Sequence, residues 1–323
     1  MRRRWSRMSR HTRHSWERWL TLGVAAAIAT LLYYLARDVD WPGVWAAVRA
    51  VPRLTIMMAI AVALSGYLAY SVMDILGCRY IGQRLSPVKV AGIAMISYAL
   101  NLNLGMLIGG FGARLRLYLR MGCRKSVPTR IALFSALSNW IGFGWLAGML
   151  FASGGVPLPP AIAWAQDGAR IAGVVMLALS GAYVLTCLRH PGHTWTVRGW
   201  HIVLPNAKMA LAQSFSAMLS WALMGLVLYV ILQARIPYPA VLGVLFFAST
   251  AALVVRVPGG LGTTEAITVA ALSQYLPTVD ILGAVLTYRA VYFLLPLALT
   301  LLAVGVIETT YSLRRRTYRS TSR

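Results

Sequence analysis

Long apolar runs are the feature that most constrains this chain. Six of them approach or exceed the roughly 20 residues that a helix needs to cross a bilayer. They are residues 20–36, 54–76, 126–152, 170–188, 208–232 and 281–307. Of the 323 residues, 59% are hydrophobic and only 12% are charged, with a mean hydropathy of +0.66. So little polar surface predicts an all-α polytopic membrane protein and excludes an ordinary soluble enzyme.

Two further apolar stretches, 90–112 and 240–276, are interrupted by glycine. Positive charge indicates how they run, because cytoplasmic loops carry an excess of Lys and Arg. If each stretch enters and leaves on the same side as a re-entrant segment, 24 of the 31 cations lie in cytoplasmic segments and five lie outside. If residues 90–112 instead crossed the bilayer completely, the cations of 113–130 would lie on the opposite side of the membrane from those of 77–89, against this rule. We therefore predict six spans, with both termini cytoplasmic.

The chain resembles itself at an offset of 150 residues. The glycine-rich segment 109–112 falls on 259–262, and each half reads span, span, broken segment, span. Because each half crosses three times, the second is predicted to be inverted, as in transporters whose substrate site lies at the bilayer midplane. Glycine is also common in membrane helices, so coincidence is the alternative. The predicted organisation is a basic cytoplasmic tail (1–19), a first repeat (20–152), an external linker (153–169), a second repeat (170–307) and another basic cytoplasmic tail (308–323).

Charged side chains follow both glycine breaks. Arg114 and Arg116 come after the first break, where the start of a helix and two guanidinium groups would suit a phosphate. Alternatively, both arginines lie at the cytoplasmic surface and only fix the orientation. Glu265 follows the second break, and an ionisable group at this depth usually has a partner or a function. Arg256 or Arg289 could neutralise it, and a structural ion pair and a substrate or proton site are both open.

Two other polar side chains lie within predicted spans. Asn139 occupies the repeat position that matches Arg289, and Asp74 is expected to pair locally with Arg79. We expect Glu265 and Arg289 to face one cavity. The predicted substrate-binding residues are Gly109, Gly110, Gly112, Arg114, Arg116, Asn139, Arg256, Gly259, Gly260, Gly262, Glu265 and Arg289.

The sequence offers no set of residues for catalysis or for a cofactor. All five histidines fall in predicted cytoplasmic segments, and the segment 258–264 lacks the lysine of an ATP-binding loop. We therefore predict no enzymatic activity, no cofactor and no metal. The net charge of +23 is ascribed to membrane orientation and anionic lipid rather than to nucleic acid.

Several motifs resemble one known family, the flippase-like membrane domain of lysylphosphatidylglycerol synthases. They are Asp38-Val39-Asp40-Trp41, Gly109-Gly110-x-Gly112-x-Arg114-x-Arg116-Leu117-Tyr118, Leu204-Pro205, Pro258-Gly259-Gly260-Leu261-Gly262-x-x-Glu265 and Tyr288-Arg289-x-x-Tyr292. The resemblance covers nearly the whole chain and is closest to stand-alone members of a bacterial inner membrane. It implies lipid translocation or lipid handling. The synthases also carry a soluble aminoacyl-transferase domain, which this sequence lacks, so lipid synthesis is not expected.

Two functions of different classes follow. The first is ATP-independent translocation of a phospholipid, with an anionic or aminoacylated headgroup, across the inner membrane. The second is a non-transporting membrane partner that binds lipid and recruits a lipid-modifying enzyme. Buried polar groups at matching positions favour the first, because a scaffold would tolerate an apolar midplane. A homo-oligomer and a lipid-synthesis enzyme as partner are both left open.

Overall fold

The computed structural model describes residues 40–156, 164–197, 200–255 and 260–306. The predicted span 20–36, both basic tails, Arg256 and Gly259 lie outside these ranges. Residues 46–323 form one compact unit and residues 1–45 another, and the contacts given below lie within the former.

The described residues are mostly helical, as predicted. The elements are α1 (Trp41–Ala50), α2 (Arg53–Tyr80), α3 (Pro87–Leu104), α4 (Gly112–Arg120), α5 (Ser126–Ala152), α6 (Gln166–Arg189), β1 (Thr194–Val197), β2 (Trp200–Val203), α7 (Ala207–Ile231), α8 (Tyr238–Val255), α9 (Thr263–Leu272) and α10 (Thr278–Val306). A π-helical turn, Met106–Phe111, precedes α4, and another, Ala290–Leu294, interrupts α10. The short antiparallel pair β1–β2 was not predicted, and its segment is rich in the β-branched residues that favour strands.

Five helices, α2, α5, α6, α7 and α10, are long and apolar enough to cross a membrane. They correspond to the five predicted spans that fall within the described residues. Large apolar side chains on their outer faces are exposed: Leu179, Phe215 and Leu302 each leave 67% of their surface uncovered. Exposed apolar surface on helices of this length is typical of a lipid-facing surface, and it agrees with a protein embedded in a membrane.

Small residues let the spanning helices pack closely. A Cβ on Gly142 of α5 would lie 2.3 Å from the Cβ of Ala217 on α7. Helices α2 and α7 run antiparallel: Ser220 donates to the carbonyl of Gly66 over 3.4 Å, and Tyr80, at the end of α2, donates to Val203 just before α7. Without a hydrophobic driving force between helices in lipid, such close packing is what holds them together.

Both glycine-broken stretches fold as helical hairpins. In the first hairpin (α3 and α4), the chain turns at Gly105, whose φ of 84° suits glycine. The returning limb packs so closely on α3 that a Cβ on Gly109 would lie 2.1 Å from the carbonyl oxygen of Leu100. Tyr118, near the end of α4, shares a buried cluster with Val90, near the start of α3. The stretch therefore returns to the end of the bundle where it began, and its re-entry from one side of the membrane stays a prediction.

The second hairpin (α8 and α9) has the same form. Gly260 and Gly262 have φ values of 61° and 77° where α9 begins, and α9 packs on α8, where a Cβ on Gly260 would lie 3.2 Å from the Cβ of Ala252. The first hairpin follows the C-terminal end of α2 and the second follows the C-terminal end of α7. Because α2 and α7 are antiparallel, the two hairpins open at opposite ends of the bundle. The inverted repeat and its boundaries stay predictions.

Candidate functional site

The tip of the first hairpin meets the last span at a π-helical turn. A π turn widens the helix and leaves carbonyl oxygens without their usual partners, and such turns are common at functional sites. Here Asn103 donates to the carbonyl of Phe293 over 3.2 Å, and the Tyr67 hydroxyl donates to the carbonyl of Tyr292 over 3.1 Å. The interrupted segment of α10 is thus held by side chains of α2 and α3.

Glu265 and Arg289 form an ion pair next to this turn. Glu265 lies in the first turn of α9, directly after the glycine break, and Arg289 immediately precedes the π turn of α10. Arg289 donates to both carboxylate oxygens, over 3.1 Å from Nη2 to Oε2, and Nη2 also donates to the carbonyl of Gly260 over 2.9 Å. The guanidinium carbon lies 5.5 Å from the centre of the Phe293 ring. Of the two partners considered for Glu265, the structure shows Arg289. That the two residues face one cavity, and that they bind substrate, stay predictions.

Arg114 forms a second buried ion pair, with Asp74. Its Nε and Nη2 donate to the two carboxylate oxygens over 2.9 and 3.0 Å, and Ser135 donates to Asp74 over 2.6 Å. Arg114 leaves only 5% of its surface exposed, so it does not lie at the surface. The predicted pairing of Asp74 with Arg79 is wrong. Arg79 follows Asp74 by five residues, which places the two side chains about 140° apart around the helix axis. Arg79 is therefore exposed on another side of α2.

A line of buried tyrosines connects the two ion pairs. Arg114 donates to the Tyr70 hydroxyl over 3.2 Å, and the Tyr70 ring stacks on Tyr98 with centroids 3.8 Å apart. The hydroxyls of Tyr98 and Tyr292 are 3.2 Å apart, and Tyr292 stacks on Tyr288, the residue before Arg289. Tyr70 and Tyr98 were not predicted as site residues. A signal was present, because tyrosine in membrane proteins concentrates at the interfaces, and these lie inside apolar stretches.

The structure treats the remaining predicted site residues differently. Arg116 is exposed on α4 and Asn139 is half-buried on α5. Among the described residues, Asn139 makes no hydrogen bond with either ion pair. The remaining described glycines line the two hairpin turns: Gly109, Gly110 and Gly112 in the first, and Gly260 and Gly262 in the second. The structure therefore brings together Glu265, Arg289 and Gly260, and holds Arg114 against Asp74.

The chemistry of the site is that of charged and hydroxyl groups in a mostly buried core. Within the described ranges, no group of three or more His, Cys, Asp or Glu side chains is placed to hold a metal ion. Two guanidinium groups, two carboxylates and a row of phenol hydroxyls can bind a polar molecule of mixed charge by hydrogen bonds.

Comparison with known proteins gives consistent matches along the chain. The family model described as the lysylphosphatidylglycerol synthase transmembrane region matches residues 19–300. The inner membrane protein YbhN of Escherichia coli (strain K12) is 35% identical over 284 residues, which are 88% of this chain and 89% of that protein. The uncharacterized protein slr0712 of Synechocystis is 28% identical over 306 residues, 93% of this chain and 92% of that protein. The residues matched by the family model include both hairpins and both ion pairs.

Proposed function

This chain belongs to the family of the lysylphosphatidylglycerol synthase transmembrane region, and from that premise we propose that it translocates a phospholipid across the inner membrane without ATP. The observation that carries the proposal is the Glu265–Arg289 ion pair at the broken tip of the second hairpin. Its side chains are mostly buried but leave 16% and 11% of their surfaces exposed. A charge pair at this depth that is still accessible can exchange its partner for a headgroup.

The cost of burying charge supports a functional role for this pair. An ionisable group at the bilayer centre costs from about 2.5 kcal/mol upward, so charges kept there usually serve a substrate or a proton. The two hairpins open at opposite ends of the bundle, which would give each side of the membrane its own route toward the tyrosine line. Broken helices of this kind surround the substrate site of many secondary transporters.

The headgroup would be shared between the two hairpins. Arg114, with the glycine turn before it, would meet phosphate, and Glu265 would meet the amine of an aminoacylated headgroup or carry a coupling proton. In the structure Asp74 holds Arg114, so a phosphate would have to displace that carboxylate. The protein would bind and release the lipid without making or breaking a covalent bond, and its ligand would be the phospholipid.

One observation favours the second candidate function, a lipid-binding partner that recruits a lipid-modifying enzyme. Arg114 and Asp74 satisfy each other in a bidentate pair, with Tyr70 and Ser135 completing it. An ion pair with all these partners would fix the first hairpin to α2. A fixed hairpin suits a protein that only binds lipid better than a transporter that changes conformation. Transport measurements separate the two functions.

The test is transport by purified protein in vesicles without nucleotide. Labelled phosphatidylglycerol and its lysyl ester should exchange between leaflets faster than in empty vesicles, and added ATP should change nothing. Glu265→Gln should abolish this exchange while the protein stays folded, with a smaller loss of stability than for the fully buried Asp74, because the pair is partly exposed and Arg289 keeps Gly260 and Phe293 as partners. Arg289→Gln and the double variant are measured beside it.

Asp167→Asn provides a matched control, since its side chain is 88% exposed and far in sequence from either hairpin. It should leave transport unchanged. Full exchange by Glu265→Gln at normal stability would contradict the assigned site. A lipid panel without acceleration, with or without an imposed proton gradient, would favour the lipid-binding partner.

A further inference from the structure

A cavity of about 260 Å³ lies where the second hairpin joins the spanning helices, away from Glu265 and Arg289. Gln233 and Arg235, from the turn between α7 and α8, line it together with Asp280, in the first turn of α10. Val51, Ile231 and Ala284 contribute to an apolar wall. Charged groups at a rim above an apolar wall match the shape of an amphiphile.

The polar side of the cavity carries one cation and one anion. Nη1 of Arg235 donates to Asp280 over 2.9 Å, and Nε donates to the carbonyl of Leu232 over 3.3 Å. These side chains are 45% and 34% exposed, so water competes for the pair and its net stabilisation is small. A guanidinium has five N–H donors, and described residues engage only two of them. Both charged groups can therefore turn to a ligand at little cost.

The turn that presents Arg235 is strained. Gln233 and Ala234 have φ values of 54° and 56°, in the left-handed region that residues with a side chain rarely occupy. Two such residues in succession are retained only where the surrounding structure requires them, and this kind of strain concentrates at functional sites. Here the strained turn carries the chain from α7 to Arg235 at the rim of the cavity.

We propose that this cavity binds a zwitterionic phosphoethanolamine group, with the phosphate on Arg235 and the primary ammonium on Asp280. Guanidinium is the preferred partner of phosphate oxygens, and a carboxylate accepts the hydrogen bonds of an ammonium. The group could belong to a phospholipid, whose first acyl carbons would follow the apolar wall, or to a soluble molecule. The inference rests on the geometry of this cavity and not on transport.

The experiment measures binding to the purified full-length protein in mild detergent, by native mass spectrometry and thermal stabilisation. The probes are short-chain phosphatidylethanolamine, phosphatidylglycerol and phosphatidylcholine, and soluble phosphoethanolamine. Phosphatidylethanolamine should bind best, since phosphatidylglycerol lacks the ammonium and phosphatidylcholine has no N–H to donate. Arg235→Gln and Asp280→Asn should each weaken its binding by about tenfold or more. The control variants Asp167→Asn and Arg170→Gln remove a surface pair of 3.4 Å elsewhere and should bind like the wild type.

The decisive readout is lipid preference. Asp280→Asn should remove the preference for phosphatidylethanolamine over phosphatidylglycerol while the protein stays folded, as its melting temperature without lipid will show. Soluble phosphoethanolamine competing as well as the lipid would identify a free ligand, and failure to compete would identify the lipid. Equal preference in the wild type and both variants would overturn the inference. Selective binding without transport would overturn only the proposed function.

Discussion

Replacing Asp74 by asparagine is expected to cost about 3–5 kcal/mol of unfolding free energy, the range for removing one partner of a buried ion pair. Asp74 is fully buried and accepts three hydrogen bonds, two from Arg114 and one from Ser135. Asparagine keeps one oxygen, which can still accept from Ser135. Its amide nitrogen, however, would direct donors at a guanidinium that has no acceptor. Arg114 would lose the counterion that it has in the structure.

A double variant separates the interaction between the two charges from the interactions that each charge makes with its surroundings. In Asp74→Asn/Arg114→Gln, two neutral amides replace the charges and can hydrogen-bond to each other. Residues in contact typically couple by about 0.5–3 kcal/mol. Because this pair is bidentate and buried, we expect the double variant to be at least about 2 kcal/mol more stable than the two single losses would predict if they added.

The assay is a denaturant titration in mixed micelles, followed by circular dichroism for the wild type, both single variants and the double variant. Asp167→Asn is the control, because exposed substitutions usually stay within about 0.5 kcal/mol of the wild type. A loss below about 1 kcal/mol for Asp74→Asn, or strictly additive losses, would refute the reasoning that this pair fixes the first hairpin to α2.

Two further predictions concern the hairpins. Gly109→Ala should destabilise the protein by roughly 1–3 kcal/mol, because its Cβ would overlap the carbonyl of Leu100. Gly92→Ala is the control in the same hairpin: its Cβ meets no atom within 4 Å, so it should be neutral or stabilising. Thermal unfolding of both variants checks this, and equal effects would contradict the close packing of Gly109 on α3. Single cysteines at Ser126 and Ser153, without the three native cysteines, should react with an impermeant reagent from opposite faces of the membrane, and labelling of position 126 from outside would contradict the re-entrant topology.

The spans and hairpins were predictable because they follow from local composition. A bilayer requires about 20 apolar residues per helix and leaves no lipid-exposed backbone group unsatisfied, so long apolar runs can hardly be anything else. The Glu265–Arg289 contact could be predicted because few ionisable residues lie in the apolar segments of the second predicted repeat. The 20–36 span lies outside the described residues and stays a prediction.

The partner of Arg114 could not be predicted from the sequence in the same way. Asp74 lies 40 residues earlier, and the contact depends on how closely the returning limb of the first hairpin packs beside α2. Sequence proximity therefore favoured Arg79, which faces elsewhere. The tyrosine line likewise joins three separate segments, from Tyr70 through Tyr98 to Tyr292, and no spacing within one segment announces it.

The two ion pairs have opposite polarity. The first hairpin carries the cation, Arg114, and the preceding span supplies the anion, while the second hairpin carries the anion, Glu265, and the following span supplies the cation. At the offset of 150 residues, Arg114 and Glu265 fall within one position of each other. Under the proposed mechanism, a headgroup with phosphate and amine would replace one internal counterion at each hairpin. A headgroup with one phosphate and one ammonium adds no net charge, so the summed charge of the four side chains and the lipid would be zero in the empty and in the loaded state. The displaced Asp74 and Arg289 would then each need a new partner, such as water, which sets the cost of moving between the two states.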